Sequence, residues 1–94
     1  MHIAACTIQL SLYGVDSLKS KRRVLKSLLT RLPRQFNVAV AEIDHQDSWS
    51  SAVICVVTVG NDAGRCHSTL ERAVAFIERQ RPDAPIADYI IEFR

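Results

Sequence analysis

Ser17–Leu32 reads SLKSKRRVLKSLLTRL, and this stretch decides the fold. At 100° per residue Leu18, Leu25, Leu29 and Leu32 share one narrow arc, which Leu28 and Val24 widen on one side. An apolar stripe of this width is the mark of a helix laid on a sheet. Ser17 after Asp16 supplies an N-cap, and Leu and Lys favour the helical interior, so the helix starts here. Pro33 is expected to end it or to bend its last turn.

The same stretch is dense in cations. Lys19, Lys21, Arg22 and Arg23 fall in the first two turns, where the helix dipole is positive and each added cation costs about 0.3–1 kcal/mol. Stability alone does not place them there, whereas an anionic partner arriving at a helix start would. The competing reading is a solvated face that keeps the helix soluble. Seven of the twelve Lys and Arg residues lie between Lys19 and Arg34 although the net charge is only +2, so the basic surface is local.

Outward from this helix the chain alternates between strand and helix patterns. In residues 2–12, Ala4, Cys6, Ile8, Leu10 and Leu12 point one way and Thr7, Gln9 and Ser11 the other, predicting a strand with one face on a core. Tyr13-Gly14-Val15-Asp16 turns into the helix. Residues 36–43 read as a second strand, and Asp44-His45-Gln46-Asp47-Ser48 as a polar hairpin loop. Residues 49–59 are apolar on both faces, Val53, Cys55, Val57 and Val59 against Ala52, Ile54 and Val56, as in a central strand. Asn61-Asp62 caps a second helix, in which Ala63, Cys66, Leu70, Ala73, Val74 and Ile77 recur at helical spacing, and residues 86–93 form the last strand.

The order βαββαβ predicts an α+β, ferredoxin-like sandwich: a four-stranded antiparallel sheet with two helices on one face, joined by right-handed crossovers. At 94 residues it makes one domain with a single core. The uncovered sheet face, with Ile3, Ala5, Thr7 and Gln9 from the first strand, predicts a homodimer through that face or through an edge strand. No apolar run is long enough to span a bilayer and the start lacks a signal peptide pattern, so no membrane role and a cytoplasmic location are expected.

No catalytic signature appears. Cys6, Cys55 and Cys66 are odd in number, unpaired in spacing and set in apolar segments, which favours buried reduced thiols over a metal site or disulfide. His45 with Asp44 and Asp47 is better read as a solvated turn than as a metal or acid/base site, because ligands so close in sequence seldom converge. His67 falls off its helix's apolar stripe, toward solvent. Trp49 either closes one end of the core or anchors a protein partner. No cofactor or metal is expected.

Ser17-Leu18-Lys19, Lys21-Arg22-Arg23, Phe36-Asn37-Val38, Ala41-Glu42, Gln46-Asp47 and Asn61-Asp62 together resemble the YlxP-like family of small bacterial proteins of unknown function. The resemblance covers nearly the whole chain and implies a ferredoxin-like fold and an RNA or ribosome setting. Many relatives place Glu after the first lysine, completing a capping box with Ser17; Ser20 here leaves the helix start more cationic. The family brings no catalytic residues.

Function on this reading is a non-catalytic, RNA-binding or ribosome-associated module. Lys19, Lys21, Arg22, Arg23 and Lys26 meet the phosphates of a structured RNA and Tyr13 stacks on a base. The aromatic motifs by which a related sheet reads bases are lacking, so recognition is expected through shape and phosphate. The alternatives are a protein-binding homodimeric module and an acylphosphatase-like enzyme. The latter is disfavoured because the first strand–helix loop, YGVDS, holds no arginine.

Overall fold

The computed structural model describes residues 1–44 and 48–94. Six elements follow in the expected order: β1 (His2–Ser11), α1 (Leu18–Gln35), β2 (Ala39–Asp44), β3 (Ser51–Gly60), α2 (Ala63–Gln80) and β4 (Ile86–Phe93). The strands form one antiparallel sheet ordered β2-β3-β1-β4, so the chain is the α+β, ferredoxin-like sandwich that its patterning predicts.

The period-2 pattern translates directly into burial. Ala4, Cys6, Ile8 and Leu10 of β1 and Ala52, Ile54 and Val56 of β3 join one buried cluster with both helices. Their neighbours Thr7, Val53, Cys55 and Val57 are half-buried on the opposite face, which no helix covers. The helices divide the sheet between them: α1 lies over β2, and α2 over β3 and β1. Val24, Leu25, Leu28 and Leu32 carry α1 into the core, each worth about 1.5–3 kcal/mol of burial.

Four expectations need correction. Pro33 neither ends α1 nor marks its boundary; the helix runs two residues further to Gln35, because a proline in the last turn forfeits only its own bond back to Leu29. The second strand starts at Ala39, since Val38 N–H turns back to the Phe36 carbonyl, 2.9 Å away. Cys6 and Cys66 are buried free thiols, but Cys55 is only half-buried, on the uncovered sheet face. Trp49 is 53% exposed and does not close the core. His45, Gln46 and Asp47 lie outside the described residues.

Candidate functional site

The start of α1 is built as its sequence indicates. Ser17 is the N-cap, accepting from Ser20 N–H at 3.1 Å, and its own hydroxyl donates to Ser20 Oγ, also at 3.1 Å. Ser20 Oγ in turn donates to Asp16 Oδ1 at 3.3 Å. A short hydroxyl chain therefore occupies the place a Glu would take in a capping box, and the carboxylate it reaches precedes the cap. No acidic side chain stands in the first turn of the helix, and none occurs anywhere along it.

The predicted cations separate into two groups. Lys21 is a correction: it is 2% exposed and belongs to the interior. Its Nζ donates to the Ser48 carbonyl and stands 3.1 Å from Glu42 Oε2, an ion pair that is not aligned as a hydrogen bond. The cause is geometric. The buried residues of α1 are Lys21, Val24, Leu25, Leu28 and Leu32, so the stripe is centred nearer Leu28 than the sequence suggests, and Lys21 lies within it. A side chain enclosed in this way is not available to a phosphate. It ties α1 instead to β2 and to the segment leading into β3.

Lys19, Arg22, Arg23 and Lys26 are exposed. At 100° per residue Lys19, Arg23 and Lys26 lie within about 60° of one another, and the arc continues through Thr30 to Arg34. Arg23, Lys26, Ser27, Thr30, Arg31 and Arg34 line one shallow hollow of about 340 Å³ on the outer face of the helix. Arg22 projects from its flank. Arg31 and Arg34 are thus additions to the predicted set; Arg34 recurs at helical spacing with Arg23, Lys26 and Thr30 on the face opposite the leucine stripe, whereas Arg31 borders that stripe and carries no such signal. Arg31 also donates to Gln80 Oε1 of α2 at 2.9 Å, which fixes one wall of the hollow. The basic surface therefore runs the length of α1, about 27 Å, rather than only its first two turns.

Tyr13 is 72% exposed in the turn between β1 and α1, at the end of the sheet where Leu12 N–H meets the Ser50 carbonyl. That bond brings the segment of Tyr13 alongside that of the exposed Trp49. Elsewhere, Cys6 sits beneath α2 with its thiol pushed up to about 12, chiefly by burial and further by Cys55 and Glu71. Such a thiol stays protonated and inert. Among the described residues no group of three or more His, Cys, Asp or Glu side chains could hold a metal, and no helix is long and apolar enough to cross a membrane. His67 is exposed, 3.7 Å from Glu71.

Fold and surface together define a small ferredoxin-like α+β protein with one basic helix. Residues 3–91 match the family described as "Protein of unknown function (DUF503)", and the chain belongs to that family. It is 39% identical over 67 residues to the "Uncharacterized protein YlxP" of Bacillus subtilis (strain 168), a match spanning 71% of this chain and 73% of that protein. Among solved structures it is similar to a mutant of SnoaB, a cofactor-independent oxygenase from Streptomyces nogalater. The TM-score is 0.56 with 13% sequence identity, over 98% of this chain and 90% of that one. At that identity the likeness is one of fold.

Proposed function

We propose that the chain is a non-catalytic, cytoplasmic RNA-binding module, ribosomal or other structured RNA being its partner, that grips phosphates along the outer face of α1. One observation carries this reading. The helix bears seven cations and no acid; six of the cations are exposed, and most of those line one face. With no acid on the helix to offset them, these cations repel one another, and a polyanion relieves that repulsion while releasing its own counterions. Lys19, Arg23, Lys26 and Arg34 follow one another at intervals of about 4.5–12 Å along the axis, so the stripe can meet several phosphates of one strand. In this reading the exposed Tyr13, near the helix start, stacks on an unpaired base. A binding role is favoured over phosphate chemistry because the loop from Tyr13 to Asp16 offers no cation to a phosphoryl group and the Cys6 thiol is inert.

The test is a titration with unfractionated transfer RNA and with ribosomal subunits at several salt concentrations. Replacing Arg23, Lys26 and Arg34 together by Gln is expected to leave the fold intact. The slope of log affinity against log salt should become shallower by about two to three units. An unchanged slope, or no binding by the wild type at low salt, would make the stripe a solvated face only.

A further inference from the structure

The sheet has a second face, and the register states what lies on it. Opposed residues share a face, so one row across the sheet is Ala41, Cys55, Thr7 and Ile90, and the next is Ala39, Val57, Ala5 and Glu92. Beyond these rows lie Val53 and Gln9 at one end and Ile3 and Val59 at the other. The centre is uncharged and made of small side chains, while Asp44, Asp88 and Glu92 stand toward its margins. Val59 and Ile90 are 50% and 57% exposed, and no element among the described residues covers them. Ala5 is almost completely buried yet stands outside the main core, enclosed only by its neighbours on this face.

We propose that this face is the interface of a homodimer, two copies packing sheet against sheet. Three observations select a second copy as the occupant. The first is area: four strands about 4.8 Å apart and six to ten residues long give on the order of 540 Å² in plan for each copy. The pair then clears the roughly 1,000 Å² expected of a biological interface. The second is relief, which is self-complementary. A two-fold axis lying between the sheets and parallel to the strands sets β4 of one copy over β2 of the other, so Ile90, the largest side chain of its row, meets Ala41 and Cys55, among the smallest. The third is the layout of an uncharged centre with a charged margin, the common anatomy of an interface between proteins.

The edges are poorer candidates. β2 has six residues and its register slips between Glu42 and Asp44, and β4 slips against β1 between Gln9 and Leu10. Irregular, short edges are protected against pairing. In the face-to-face dimer the two α1 helices look outward in opposite directions, leaving each basic stripe open.

Two copies bring acidic margins together, so the dimer tightens with added salt, opposite in sign to binding of RNA. Sedimentation of the full chain at micromolar concentration is expected to give twice its 10.5 kDa. Thr7→Arg, a charge at the centre of the face, should raise the dissociation constant roughly a hundredfold while the circular dichroism spectrum is unchanged. Labelling of the wild type by a maleimide is independent of any variant: Cys55 should react quickly in dilute protein and slowly in concentrated protein, with Cys6 and Cys66 silent in both. A wild type of monomer mass at every concentration overturns the proposal. So does a dimer in which Cys55 labels at one rate throughout, a result that would move the contact to an edge.

Discussion

The two helices have the same length and rest on the same sheet, yet they solve the problem of their outer faces differently. α2 balances Arg65, Arg72 and Arg79 with Glu71 and Glu78, and uses them locally: Glu71 accepts from the Tyr89 hydroxyl of β4 at 3.0 Å, and Arg72 lies over the ring of Phe36, 5.6 Å from its centre. α1 has no acid to balance anything. Since α2 packs fully with an excess of only one cation, packing does not require the seven on α1. The inner faces differ too. Beneath α2 the polar groups are neutral, the Cys6 thiol and the buried Thr58 hydroxyl, whereas beneath α1 there is an ammonium paired with a carboxylate.

The sharpest way to break this contrast is to remove the ammonium. Lys21→Ala leaves the Ser48 carbonyl and a largely buried Glu42 without their partner, and is expected to cost about 3 kcal/mol. Thermal or denaturant unfolding measures it. Lys21→Met combined with Glu42→Gln should recover most of the loss. An equally stable Lys21→Ala would mean that the side chain is not held in the core.

Alkaline titration tests the α2 side. The Cys6 thiol ionises near 9.0 when unfolded and near 12 when folded, so above pH 9 the folded state holds the proton that the unfolded state has released. Stability is complete below pH 9 and falls between the two values, by about 1.4 kcal/mol for each pH unit once the unfolded thiol is ionised. Cys6→Ala should lower stability at neutral pH and remove this part of the alkaline slope. A slope identical in both proteins would show that the thiol is not buried as described.

The smallest effect concerns the caps. Ser17→Ala and Asp62→Ala each remove an acceptor from a helix start, worth about 1 kcal/mol. Asp62 also brings a negative charge to the positive end of its dipole, so its loss should cost a few tenths of a kcal/mol more. Equal losses would mean that the charge of Asp62 adds nothing at the start of α2.

Much of this was legible in the residues, and the exceptions have physical reasons. Alternation in β1 and β3 shows both sheet faces because a strand's period is fixed at two and a single slip would invert every side chain. The caps at Ser17 and Asp62 are local chemistry, visible within four residues. Lys21 was misplaced because its environment is not local. Glu42 is on another element and Ser48 beyond it, and no periodicity announces that a lysine inside a leucine stripe will find a carboxylate there. Arg34 recurs on the face of Arg23 and Lys26, but the dipole singles out only the first turns of the helix; Arg31 joins that surface through its tertiary contact with Gln80. Cys55 looked like its two companions in composition; only the register separates them.

The order of the sheet also has a consequence in time. β1 leaves the ribosome before the other three strands of the sheet, and both its neighbours are made later: Ala4 pairs with Thr58 on one side and with Phe93 on the other. At about 5–20 residues per second β1 waits on the order of ten seconds for its last partner. Throughout that interval its edge toward β4 is unpaired, and pairings so distant along the chain place the domain among slower folders of its size. The nascent chain thus completes its sheet only when residues 86–93 are free to pair with β1.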